Sequence, residues 1–180
     1  MKKVLYIILI LSLTLNLALI YKYIENAKIL NITWKNAVFI LEDNLPNFEL
    51  EPVDNWYEPT FNQTRIRLNE TTFRLENLST LPHGYEIVSP EIMSKVREVT
   101  NYEYKLLDKI ENDLKKSNTI SHTDYEELDK LNKAWTKVSD ILQKETYKIY
   151  PQVFRVEQWK MELDKVINEL NGLELLPLSE

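Results

Sequence analysis

Residues 4–21 read VLYIILILSLTLNLALIY, eighteen positions without a charge, a proline or a glycine. As a helix rising about 1.5 Å per residue, the run covers roughly 27 Å, close to the ~30 Å hydrocarbon core of a bilayer. A chain has three places to put such a run: across a membrane, in an export signal that is cut away, or in a buried core helix. The flanks favour the first. Tyr6 at one end and Tyr21 and Tyr23 at the other suit the aromatic belts of a membrane interface, and Lys22 can reach the headgroups. A cleaved signal needs a basic start, an apolar stretch of about 7 to 15 residues and a small-x-small exit. The start fits, but the nearest exit, Asn16-Leu17-Ala18, lies inside the run and is followed by Leu19 and Ile20. An uncleaved signal-anchor over 4–21 is therefore expected, with residues 1–3 as a stub and the membrane as its first partner.

Orientation follows the excess of Lys and Arg on the cytoplasmic side. The α-amine, Lys2 and Lys3 stand before the run; Lys22, Glu25 and Lys28 stand after it. This bias places the N-terminus inside and the remaining chain outside, leaving a stub too short for any signalling or DNA-reading module.

Setting Lys2 and Lys3 aside from the 22 basic residues leaves 20 against 28 acidic ones. A surface of that sign repels phosphate backbones, so nucleic acid is not an expected partner. The chain has no Cys, which excludes disulfides, thiolate metal sites and lipoprotein processing. Richness in Lys, Asn, Ile and Glu suggests an AT-rich bacterial genome and a cell-envelope setting. The sequons at Asn31, Asn62, Asn69 and Asn77 are expected as chance matches in so Asn- and Thr-rich a chain.

Beyond the anchor, apolar residues return at helical spacing. Ile24, Ala27, Asn31, Trp34, Val38, Leu41 and Leu45 recur at steps of three and four and stop at Pro46, which predicts a stalk helix over 22–45 continuous with the span. Ser89 as N-cap and Pro90 at the first helical position open another helix. Ile92, Val96, Val99, Leu106, Ile110 and Leu114 line its face, Glu103 interrupts the seam, and Lys115 and Lys116 suit its negative end. After a polar link over 117–121, a Thr123/Glu126 capping box starts a third helix with an unbroken stripe of Leu128, Leu131, Trp135, Val138 and Leu142. Pro151 sets off a fourth, carrying Val153, Val156, Trp159, Leu163, Val166, Ile167 and Leu170, with Gly172 as a left-handed stop. Trp34, Trp135 and Trp159 fall in these stripes and read as core.

Short links make sequential helices antiparallel, so the fold class expected is mainly all-α. A three- or four-helix antiparallel bundle occupies 89–172, and 173–180 is a tail. A coiled-coil dimer through the same heptads is the alternative.

Between 46 and 88 the character changes. Pro46, Pro52, Pro59 and Pro82 punctuate the stretch, and Arg65-Ile66-Arg67-Leu68 and Phe73-Arg74-Leu75-Glu76 alternate polar and apolar around Asn69-Glu70-Thr71. That predicts an irregular insert holding a small β-hairpin, with a short helix over 71–78 as the alternative. The insert supplies the one candidate contact surface, Trp56, Tyr57, Phe61 and Tyr85. Aromatics among prolines and carboxylates can grip a peptide, a glycan or a cationic group, or fold back as a satellite core.

Only Gly84 and Gly172 occur, so no P-loop, dinucleotide fingerprint or GxSxG elbow can be written. His83 lies in the Pro82-His83-Gly84 turn and His122 beside a helix cap, without HExxH or ExxH spacing. No catalytic residue, cofactor or metal site is expected; a carboxylate-dependent hydrolase is the residual enzymatic reading. In outline, the layout of stub, single span and heptad-bearing stalk resembles bitopic division and envelope-assembly proteins of bacteria. Anchor, amphipathic helices and missing catalytic motifs together predict a non-catalytic assembly partner or adaptor that touches other envelope proteins. The alternative is an extracytoplasmic module for a ligand or cell-wall fragment, secreted if the leader is cleaved.

Overall fold

The computed structural model describes residues 2–46, 48, 58–147 and 154–178. It is all-helical, with no strand among the described residues. The helices are α1 (Lys2–Asp43), α2 (Glu58–Thr80), α3 (Gly84–Ile87), α4 (Pro90–Ser117), α5 (His122–Tyr147) and α6 (Val156–Asn171).

The apolar run is the start of one 42-residue helix, α1. Every residue from Val4 to Tyr23 is exposed, covered by none of the other described residues, and this part of α1 is long and apolar enough to cross a bilayer. Farther along, one side of the same helix is sealed. Ala27, Trp34, Val38, Leu41 and Leu45 are buried, and α1 packs against α5 and α2. The stretch 22–45, expected as a stalk, is thus a wall of the folded body.

The β-hairpin expected around Asn69-Glu70-Thr71 is not formed; α2 runs straight through it. The buried positions of α2 are Phe61, Thr64, Leu68, Thr71, Leu75 and Leu78, an alternation of steps of three and four that two threonines conceal from a hydrophobicity reading. Their hydroxyls are satisfied at no cost to the core. Thr64 donates to the Thr60 carbonyl at 3.0 Å and Thr71 to Arg67 at 2.8 Å, bonds within the helix that make each Thr a small apolar surface outward. Ile66 and Phe73, which give the strand-like alternation, are the exposed ones. Thr71 also reaches the Asn44 carbonyl at 2.9 Å, and Trp34 Nε1 donates to the Pro82 carbonyl at 3.0 Å. These two bonds fix α2 antiparallel to α1.

The turn after α2 depends on a close approach. A Cβ on Gly84 would stand 2.2 Å from the Ser79 carbonyl oxygen and 2.6 Å from that of Leu78, both backbone atoms that cannot swing away. Gly84→Ala is therefore expected to lose about 2–3 kcal/mol through forced backbone shifts, measured by chemical denaturation. A loss below about 0.5 kcal/mol, the size of an ordinary surface change, would show that the turn relaxes freely.

Ser89 caps α4 as its sequence indicates, accepting from the Ile92 N–H at 3.2 Å. The cap of α5 is Ser121, which accepts from Asp124 N–H at 3.1 Å, and not Thr123. Starting the helix two residues sooner lets Asp124 turn inward to meet Lys109 at 2.7 Å. Gly172 ends α6 but with φ −69°, right-handed and not left-handed; the chain closes through Leu173 N–H to the Leu170 carbonyl at 3.2 Å instead. The expected stripe of α5 is buried as read, and so are Ile92, Val96, Val99, Leu106 and Ile110 of α4 and Trp159, Leu163, Val166, Ile167 and Leu170 of α6; Leu114 and Val156 are half-buried against the core, and Val153 lies outside the described residues. All join one core with α1 and α2.

Candidate functional site

The aromatic surface expected from sequence does not assemble among the described residues. Trp56 and Tyr57 lie outside them. Phe61 is core, 1% exposed, with its ring 5.4 Å from Phe48. Tyr85 is 81% exposed, but it follows α2 whereas Phe61 opens it. A helix of that length separates them by roughly 30 Å, so they cannot share one patch.

At the opening end of α2, Arg65 is held by Glu111 at 2.6 Å and Asp108 at 2.7 Å, with its guanidinium 5.9 Å from the Phe61 ring centre and 5.7 Å from that of Tyr104. Lys115 at 2.6 Å and Arg65 together hold the Glu111 carboxyl below its usual range. This cluster clasps α2 to α4. On the α4–α5 side, Tyr102 donates to Glu127 at 3.2 Å, and burial beside that carboxylate pushes the phenol up to about 12. Lys130 meets Glu127 at 3.4 Å and the Glu174 carbonyl, and so ties down the tail.

A cavity of about 370 Å³ opens where α1, α2 and α5 meet. Glu42, Asp43 and Asp140 give it a negative rim, Arg67 one cation, and Trp135 its inner wall. Ser139 donates to Glu42 at 2.7 Å across the α1–α5 contact. Behind the rim the same indole also serves the core, where Trp135 Nε1 donates at 2.7 Å to Oε2 of Glu103, a carboxyl with no exposed surface. Its other oxygen, Oε1, is buried without a partner. Burial, only partly offset by the Trp135 bond, raises the Glu103 carboxyl from 4.5 to about 7.

Comparison with protein-family models, curated proteins and solved structures finds no match. The site stands on its own chemistry. Among the described residues no group of three or more His, Asp or Glu is placed to share a metal ion. His83 bonds its neighbour Glu86 at 3.0 Å, and His122 lies 3.2 Å from Glu126. What the arrangement offers is a negative, groove-bearing surface above a core that seals the Glu103 carboxyl away from solvent. Sequence reasoning misses the Glu103–Trp135 pair, although its signal is present: a carboxylate interrupting one apolar stripe and an indole N–H within another.

Proposed function

We propose that this chain is a membrane-anchored, extracytoplasmic helical protein that works by protein contact, as an assembly partner or adaptor at the bacterial cell envelope, and not by catalysis. The supporting observation is the continuity of α1, bare and apolar at its start and sealed into the core from Ala27 onward. With no break between the two parts, the body stands at a fixed height and angle over the bilayer, which suits presenting a surface to neighbours. In this reading the basic stub stays inside, and the antiparallel bundle of α4, α5 and α6, completed by α1 and α2, faces out.

Protease added to intact protoplasts is expected to digest the body; its survival until lysis would reverse the topology. Proximity labelling from the exposed body should recover envelope proteins reproducibly over an anchor-only control, and an empty result removes the adaptor reading. The cavity rimmed by Glu42, Asp43 and Asp140 supports a second reading, binding of a cationic ligand or wall fragment. Quenching of the Trp135 fluorescence by wall extracts, lost in Asp140→Asn, would favour it.

A further inference from the structure

α1 carries a second apolar face that none of the other described residues covers. Ile29, Ile32, Asn36 and Phe39 follow at steps of three, four and three, with Ile40 beside them. Ile29 and Ile32 are each 57% exposed, Phe39 46% and Ile40 43%. At about 100° per residue this face points away from Trp34, Val38 and Leu41, so the body cannot fold over it. Lipid does not reach it either. Phe39 stands roughly 27 Å along the axis beyond Tyr21, whereas the headgroup layer adds only about 6 Å to each side of the hydrocarbon.

We propose that a second copy of this chain covers the face, the two α1 helices lying side by side and parallel. The pairing rests on the anchored reading above, and anchoring is what selects the occupant. Two copies spanning the same way bring their α1 helices together parallel, with Ile29, Ile32 and Phe39 at matching heights. Asn36, exposed in the middle of the stripe, then meets Asn36 of the partner subunit. An amide both donates and accepts, so it is its own complement, and a single Asn on such a seam specifies a parallel, in-register pair. Within the span the face continues as Ile7, Leu11, Thr14 and Ala18, and Glu25 stands on it between the span and Ile29, about 6 Å along the axis past Tyr21, at headgroup height where its carboxylate stays in water. Thr14 and Ala18, small and one turn apart, let backbones approach. The Thr14 hydroxyl already donates to the Ile10 and Leu11 carbonyls at 3.1 and 2.9 Å, so it brings no unmet donor into lipid. The exposed side chains outside the membrane fall well short of the roughly 800 Å² per partner of a standard interface. The pair therefore needs the span, and it forms between full-length chains in a bilayer.

The chain has no Cys, which makes single cysteines clean reporters. Full-length Ile29→Cys, Ile32→Cys and Phe39→Cys, with Lys133→Cys on the exposed side of α5 as control, are oxidised in native membranes and separated without reductant. The three α1 variants are expected to give disulfide dimers and the control none. Adding Ile32→Glu to Ile29→Cys should lower the dimer yield about tenfold, because the pair would bury two like charges. Dimers at none of the positions, or equally at all four, overturn the proposal. Alkaline carbonate extraction of the same membranes separates two failures. A chain that resists extraction yet forms no dimer through α1 refutes the pair and leaves the anchor standing; a chain that washes off refutes the anchor and the pair with it.

Discussion

Glu103→Gln is expected to abolish a loss of stability of about 3 kcal/mol that the native chain suffers as pH rises from 4.5 to about 7. Below that window the carboxyl is protonated in the folded and unfolded chain alike and contributes no slope. Within it the unfolded chain releases its proton while the buried carboxyl retains one. Deprotonation then favours unfolding by about 1.4 kcal/mol per pH unit, and the loss is complete once pH passes the raised folded value. Gln keeps an oxygen to accept from Trp135 but cannot ionise. Its amino group, placed where Oε1 makes no hydrogen bond, costs about 1 kcal/mol at every pH. The variant should therefore be the less stable protein at pH 4.5 and the more stable one at pH 8.5, by about 2 kcal/mol. Urea denaturation in detergent micelles at the two pH values reads the crossing. Parallel stability curves would mean that Glu103 is solvated and not sealed.

Trp34→Ala should destabilise the body by about 3–5 kcal/mol, the range for emptying a buried aromatic site. Trp34 has no exposed surface, packs 5.7 Å from Trp159 and 6.4 Å from Phe154 between ring centres, and donates to the Pro82 carbonyl. Through it α1 grips α6 and the α2–α3 turn at once. Hydrogen exchange should accelerate in α1 from Ala27 to Leu41 before it does so in α4 or α5. A loss under about 1 kcal/mol, with α1 protection unchanged, would show that the grip lies elsewhere.

The helices legible in the chain are those whose buried positions are apolar. Leu128, Leu131, Trp135, Val138 and Leu142 announce α5 because each is a large hydrophobe at the right step, and Ser89-Pro90 announces the start of α4 through cap chemistry that is local in sequence. α2 escapes a sequence reading because Thr64 and Thr71 occupy core positions while Ile66 and Phe73 face outward; polarity alone reports the reverse of their burial. The α5 cap is Ser121 and not Thr123 because Asp124 is drawn to Lys109 on α4, a tertiary contact no local motif records. Glu103 is visible only as an interruption. That it is sealed and bound to Trp135 follows from two helices meeting, information spread over 32 positions. Among the described residues Phe61 and Tyr85 do not come together for the same kind of reason, since a continuous α2 carries them to opposite ends.

Topology, presentation of the body and pairing through α1 all require that the apolar segment stay attached and form one helix with the core. Intact-mass measurement of the native protein, on membranes and on culture medium in parallel, reads this without any substitution. The whole chain of 21.4 kDa is expected in the membrane fraction. A shortened species beginning soon after Ala18, free in the medium, would contradict it.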